Sequence, residues 1–248
     1  QNVGLHFGRL SIVNDKSLLK EMYVTTYYKT DDISSINWGL ENEKNVERDK
    51  FFYGLSRRYD SAKKLRWNLQ KDLVDKPGEV EFTSRNNAMR PPIKFLEYYS
   101  STDTDILQEY YIPIDNFVNF TDELREIVKS KDINLLSITI RYVPANNESF
   151  LSYSNKESFA FVLAINQGLS NKEVQKTKLW TQELVDASLN NGGVYYLTYQ
   201  LYPTQKQIRD VYPKIDNFFS EKKKYDSEEM FMNKFYAKYA LGEEDEKY

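Results

Sequence analysis

Residues 135–167 read LLSITIRYVPANNESFLSYSNKESFAFVLAINQ, two alternating runs joined by a polar loop. In the first run Leu136, Ile138, Ile140 and Tyr142 alternate with Ser137, Thr139 and Arg141, so a strand there has one apolar and one polar face. In the second, Phe159, Phe161, Leu163 and Ile165 alternate with Ala160, Val162, Ala164 and Asn166. A hairpin of this kind commits the chain to an antiparallel sheet whose bulky side must be covered. The other side of the sheet then offers a guanidinium and hydroxyls beside alanines, with room above them for a bound object. The alternative is that Arg141 stands on a solvated sheet face.

The segments around the hairpin fall into a legible order. A strand at 106–112, closed by Pro113, precedes a helix carrying Phe117, Phe120, Leu124 and Ile127 on one stripe. The hairpin comes next. A second helix opens at Ser170 with Glu173 three residues on, closes at Gly192 and Gly193, and leads into a strand at 194–201. The expected fold is therefore α+β, a ferredoxin-like βαββαβ antiparallel sheet with both helices on one face. N-terminal strands at 3–13 and 21–28, a polar loop at 31–50 and one long amphipathic helix over 51–69 come before it. The helix is stopped by Asp75, Pro77 and Gly78. Pro91 and Pro92 make 84–100 extended. Helices at 204–211, 213–224 and 226–240 follow, the last with Asp226 as its N-cap. The parts divide as 1–100, 101–205 and 206–248.

Composition excludes several chemistries. The chain has no cysteine, so disulfides, thiolate nucleophiles and Cys-ligated metals are out. A single histidine, His6, makes neither a metal site nor a Ser/His triad. Acid–base work falls to carboxylates, Lys, Tyr or a bound group. A net charge of -3 gives no footprint for nucleic acid, and the aromatic-basic run of RNA-recognition modules is absent. No apolar run approaches the roughly 20 residues of a membrane span. Twenty tyrosines favour strands and surfaces that are half buried against something else. The chain opens QNVGLHFGRLSIV, already strand-like and without an initiator Met, which reads as the middle of a protein. Sequons at Asn119 and Asn147 are too common by chance to place it in a compartment.

Four segments in this order resemble the C-terminal substrate, or cap, region of FAD-dependent oxidoreductases of the vanillyl-alcohol oxidase type. They are ILQEYYIP (106–113), LLSITIRYV (135–143), GGVYYLTYQLYPT (192–204) and KKYDSEEMFMNKFY (223–236). The chain is similar to the sugar, alditol and sugar-lactone oxidases and to decaprenylphosphoryl ribose oxidase. The resemblance covers about 85–239. It implies FAD as cofactor, held mainly by a separate domain that this chain lacks, with the cap's open sheet face covering the flavin and forming the substrate pocket. FAD-binding domain and small alcohol or sugar substrate are the implied partners.

Carried over position by position, the resemblance implies a catalytic pair, Glu109 as base or orienter and Arg141 as a binder of substrate oxygens. It implies substrate contacts at Thr139, Asn166 and Tyr196, and flavin contacts at Tyr199 and Gln200. Related sugar oxidases carry a lysine where Tyr199 stands, and a tyrosine or glutamine offers only a hydrogen bond to negative charge on a reduced flavin. The implied reaction is oxidation of a CH–OH group with hydride passing to the flavin. Each position also has a plainer reading: Glu109 as a buried carboxylate paired with Arg141, Tyr196 and Tyr199 as packing aromatics. The competing function is a non-catalytic ferredoxin-like module that docks a partner protein.

Overall fold

The structure is a computed structural model and describes residues 2–32, 38–74, 82–90 and 92–243. Its strands are β1 (Val3–Leu10), β2 (Met22–Tyr28), β3 (Asp103–Pro113), β4 (Leu135–Val143), β5 (Ser158–Gly168) and β6 (Val194–Tyr195). Its α-helices are α1 (Val46–Ser56), α2 (Asp60–Val74), α3 (Arg85–Ala88), α4 (Phe117–Lys131), α5 (Asn171–Asn190), α6 (Gln205–Val211), α7 (Ile215–Tyr225) and α8 (Lys234–Tyr239). One six-stranded antiparallel sheet has the order β2-β1-β4-β5-β3-β6. The succession β3-α4-β4-β5-α5-β6 is the expected βαββαβ motif, and β1 and β2 extend it beyond β4. Contacts divide the chain into two compact units, each taking one stretch of the central strands.

The first unit comprises 1–107, 132–142 and 162–170. Here β1 pairs with β4 so that Phe7 faces Arg141, Gly8 faces Ile140, Arg9 faces Thr139 and Leu10 faces Ile138. Leu10, Ile138 and Ile140 are buried, so the apolar face of β4 is the inner one. Tyr53 of α1, Leu136 and Ala164 form one buried cluster with Phe95 against it. The Asn166 amide N–H donates to the Asn134 carbonyl at 3.0 Å, which sets Asn134 opposite Asn166 and Leu136 opposite Ala164.

That register corrects the reading of the hairpin. Ala164 shares a face with Leu136, not with Thr139 and Arg141, because residues an odd number apart on a strand point to opposite sides. Within this unit the small side of β5 is filled by Tyr53, and Arg141 is exposed on the other side of β4. Each strand's alternation is legible alone. Which faces meet depends on register, and that is fixed by the turn and by neighbours far away in sequence.

The second unit comprises 108–131, 143–161 and 171–248. Phe117 and Phe120 of α4 pack on Phe159 and Phe161, and Phe120 also meets Tyr110. The Gln108 side-chain amide donates to Thr181 of α5 at 2.9 Å, and the Tyr110 hydroxyl donates back to Gln108 at 2.8 Å. Both helices therefore lie on the face of β3 that carries Gln108 and Tyr110, as expected. Glu109 and Tyr111 point to the other face.

Several expected boundaries move. The long helix is two, α1 and α2, broken at residues 57–59, where Arg57 turns its side chain to Asp105 and Asp60 starts a new helix in its acidic first turn. Residues 84–90 are not extended: Ser84 caps α3 by accepting from the Asn87 N–H. The strand expected at 194–201 keeps only Val194–Tyr195, because 196–200 close into a turn on tertiary hydrogen bonds. Asp226 caps no helix. Its carboxylate accepts from the Met230 and Phe231 N–H groups, and α8 begins later with Asn233 as its cap. The expected stops at Asp75, Pro77 and Gly78 lie outside the described residues, as does Pro91, the first of the two prolines expected to extend the backbone.

Candidate functional site

In the second unit a buried carboxylate stands among four tyrosines. Glu109 lies on the face of β3 turned away from α4 and α5 and is 8% exposed. The Tyr199 hydroxyl donates to its Oε2 at 3.2 Å. Tyr111, two residues along the same strand face, also hydrogen-bonds to Glu109. The rings of Tyr111 and Tyr153 lie 4.7 Å apart, Tyr153 and Tyr196 5.1 Å, Tyr111 and Tyr196 5.6 Å, and Tyr196 and Tyr199 5.9 Å. Burial pushes the Tyr111 hydroxyl far above the ordinary tyrosine range, with the Glu109 charge adding to it. Burial raises Tyr196 as well, helped by Tyr153 and Glu109. Tyr111 and Tyr199 are thus the hydroxyl donors and Glu109 their shared acceptor.

The turn at 196–200 is held by the helices behind it. The Tyr196 N–H donates to the Glu109 carbonyl at 2.9 Å, fixing the turn to β3. The buried Tyr212 hydroxyl donates to the Tyr195 carbonyl at 2.8 Å, and the Tyr195 hydroxyl to the Gln200 carbonyl at 2.9 Å. Lys238 Nζ donates to the Leu201 carbonyl at 2.6 Å and the Tyr239 hydroxyl to the Pro203 carbonyl at 2.9 Å. Three tyrosine hydroxyls and one lysine amine so replace a strand ladder. The result positions Tyr196 and Tyr199 where an extended β6 would not.

Gln200 supplies a different signal. Its Oε1 is buried and accepts no hydrogen bond among the described residues. A buried acceptor left empty costs about 1–3 kcal/mol, so a site with an N–H or O–H donor to place there gains by binding. A flavin ring carries such an N–H, and the residue fits that group. No three acidic or histidine side chains gather to hold a metal among the described residues.

The other expected residues lie in the first unit. Arg141 is exposed and sits opposite Phe7. Thr139 is half-buried opposite Arg9. Asn166 is committed to structure: its amide donates to Asp103 and to Asp105, each at 2.9 Å. Asp105 in turn accepts from Arg57 Nε and Nη2, the latter at 2.6 Å, while the Arg57 guanidinium lies 3.8 Å from the Tyr98 ring centroid. The alternation of β3 alone could have pointed to Tyr111, two residues from Glu109. Tyr153 sits in the hairpin's loop, where no period operates.

The model of the D-arabinono-1,4-lactone oxidase family matches residues 80–239, well over half of the chain. The chain belongs to that family. No curated protein matches it. The matched stretch is the C-terminal region of FAD-linked oxidases, so the suspected kinship with sugar-lactone and related FAD oxidases holds. Family membership implies FAD-linked oxidase chemistry on a sugar-lactone type of substrate and places the chain among oxidoreductases. The family is FAD-dependent in general. Glu109, Tyr111, Tyr153, Tyr196 and Tyr199 all fall inside the matched stretch. No helix among the described residues is long and apolar enough to cross a membrane.

Proposed function

We propose that this chain is the substrate-covering region of an FAD-linked oxidase that oxidises a CH–OH group of a sugar lactone or related polyol, with the flavin held mainly by a separate FAD-binding domain. The observation that carries this reading is the buried Glu109 carboxylate with its tyrosine wall, lying within the region matched to a lactone oxidase family. FAD, when bound, supplies the two-electron acceptor. Glu109 orients a substrate hydroxyl and takes its proton, the role open to a buried carboxylate in this chain. Tyr111 and Tyr199 hold the carboxylate in one orientation, so little reorganisation is needed as the proton moves. Tyr196 and Tyr153 offer ring faces to the C–H side of a sugar ring. Gln200 offers its empty oxygen to a flavin N–H.

The test is made on the full product of the gene that encodes this chain. Purified protein shows a flavin absorbance spectrum, and the flavin is bleached anaerobically by a sugar 1,4-lactone. A well-folded protein that purifies colourless and takes up no added FAD overturns the reading and favours a non-catalytic docking module.

A further inference from the structure

The segment between α7 and α8 is tied by side-chain hydrogen bonds to its own backbone yet turns its apolar side chains outward. The Asp226 carboxylate accepts from the Met230 N–H at 2.9 Å and the Phe231 N–H at 3.1 Å, and pairs with Lys222 Nζ at 2.8 Å. Glu229 takes the left-handed conformation, φ 55°, and its Oε1 accepts from the Tyr236 hydroxyl at 2.7 Å. At the far end the Asn233 side chain accepts from the Tyr236 N–H at 2.8 Å. Polar contacts at both ends thus fix residues 226–233. Phe231 is nonetheless 81% exposed, Met230 77% and Tyr225 82%.

The interior beside this loop is already occupied. Phe219, Phe235, Tyr236 and Tyr239 make a chain of ring contacts between α7 and α8, at centroid separations of 5.2–6.0 Å. Phe231 and Met230 have no place there. A loop that spends its carboxylates on holding two large apolar side chains in water is arranged for something that covers them. Burying a Phe or Met side chain fully gains about 1.5–3 kcal/mol, and a loop already ordered loses little entropy when it docks.

We infer that Met230 and Phe231, with Tyr225 beside them, form the docking contact for the FAD-holding domain of the same enzyme. The inference rests on the proposed function. The loop lies within the matched C-terminal region of FAD-linked oxidases, and that membership implies an FAD-binding domain as partner. A permanent contact between a flavin-holding domain and its cap needs an apolar centre, which this loop supplies.

The chain has no cysteine, so single cysteines placed here report cleanly. In the full gene product, Met230→Cys and Phe231→Cys are labelled with a maleimide in the folded, FAD-loaded protein and in urea, and the label is mapped to the peptide spanning 226–233. Labelling about tenfold or more slower in the folded protein supports the contact. Labelling at the urea rate in a protein that keeps its flavin overturns the docking proposal and leaves the enzyme reading intact. A colourless protein that takes up no FAD overturns both. Protection that disappears on dilution to a monomer overturns the FAD-holding domain as occupant and assigns the loop to a second copy.

Discussion

Asn166 carries the clearest consequence at the scale of single residues. Burial pushes Asp103 up, but hydrogen bonds from Asn166, Tyr98, Thr102 and Ser100 outweigh it and hold the carboxyl below its ordinary value. A folded-state pKa below the unfolded one means stabilisation that is present above the unfolded pKa, near pH 4, and lost as pH falls through the folded pKa. Asn166→Ala removes one of those donors. Urea unfolding should show the variant less stable than the parent at pH 7, with the gap shrinking below about pH 4; a gap that stays constant down to acid would show that Asn166 acts through packing alone. The resemblance assigned Asn166 to a substrate pocket, and its amide is instead consumed by two aspartates of its own unit. Its residue type was legible, but its partners were not, since Asp103 and Asp105 lie some sixty residues away.

Elements were legible where period and punctuation agreed, and misread where a tertiary bond took over. The α4 stripe of Phe117, Phe120 and Leu124 follows the spacing, with Phe120 and Leu124 fully buried. Gly192 ends α5 with φ 67°, as a glycine stop should. Its neighbour Gly193 is required for a different reason. A Cβ there would stand 2.5 Å from Ile112 Cδ1 and 2.8 Å from both Ser188 Oγ and the Tyr111 carbonyl. Gly193→Ala should therefore push α5 away from β3 and destabilise the fold by about 1–3 kcal/mol, read as a lower urea midpoint; an unchanged midpoint would mean that the junction relaxes freely. The short β6 was not foreseeable. Its apolar run looks like strand, and only the hydroxyls of Tyr195 and Tyr212 and the amine of Lys238 turn it into the bend that carries Tyr196 and Tyr199.

At the scale of the whole molecule, the strand–helix–hairpin–helix–strand order was enough to read the βαββαβ core, whereas the pairing of β1 with β4, which makes the sheet six-stranded, was not. The candidate site was legible on β3 and in the segment after Gly193, because Glu109, Tyr196 and Tyr199 sit in segments that resemble lactone oxidases. The idea of Arg141 standing among alanines fails on register alone, since Ala164 is packed with Leu136 and Tyr53. What survives is a carboxylate with two phenol donors in one compact unit of a lactone oxidase family member. The decisive measurement is the anaerobic rate of flavin bleaching by a sugar 1,4-lactone in the FAD-loaded full gene product, compared with its Glu109→Gln variant. Loss of a general base predicts a rate about 10²–10⁴ lower with flavin content unchanged, whereas equal rates in the two proteins would contradict the role given to Glu109.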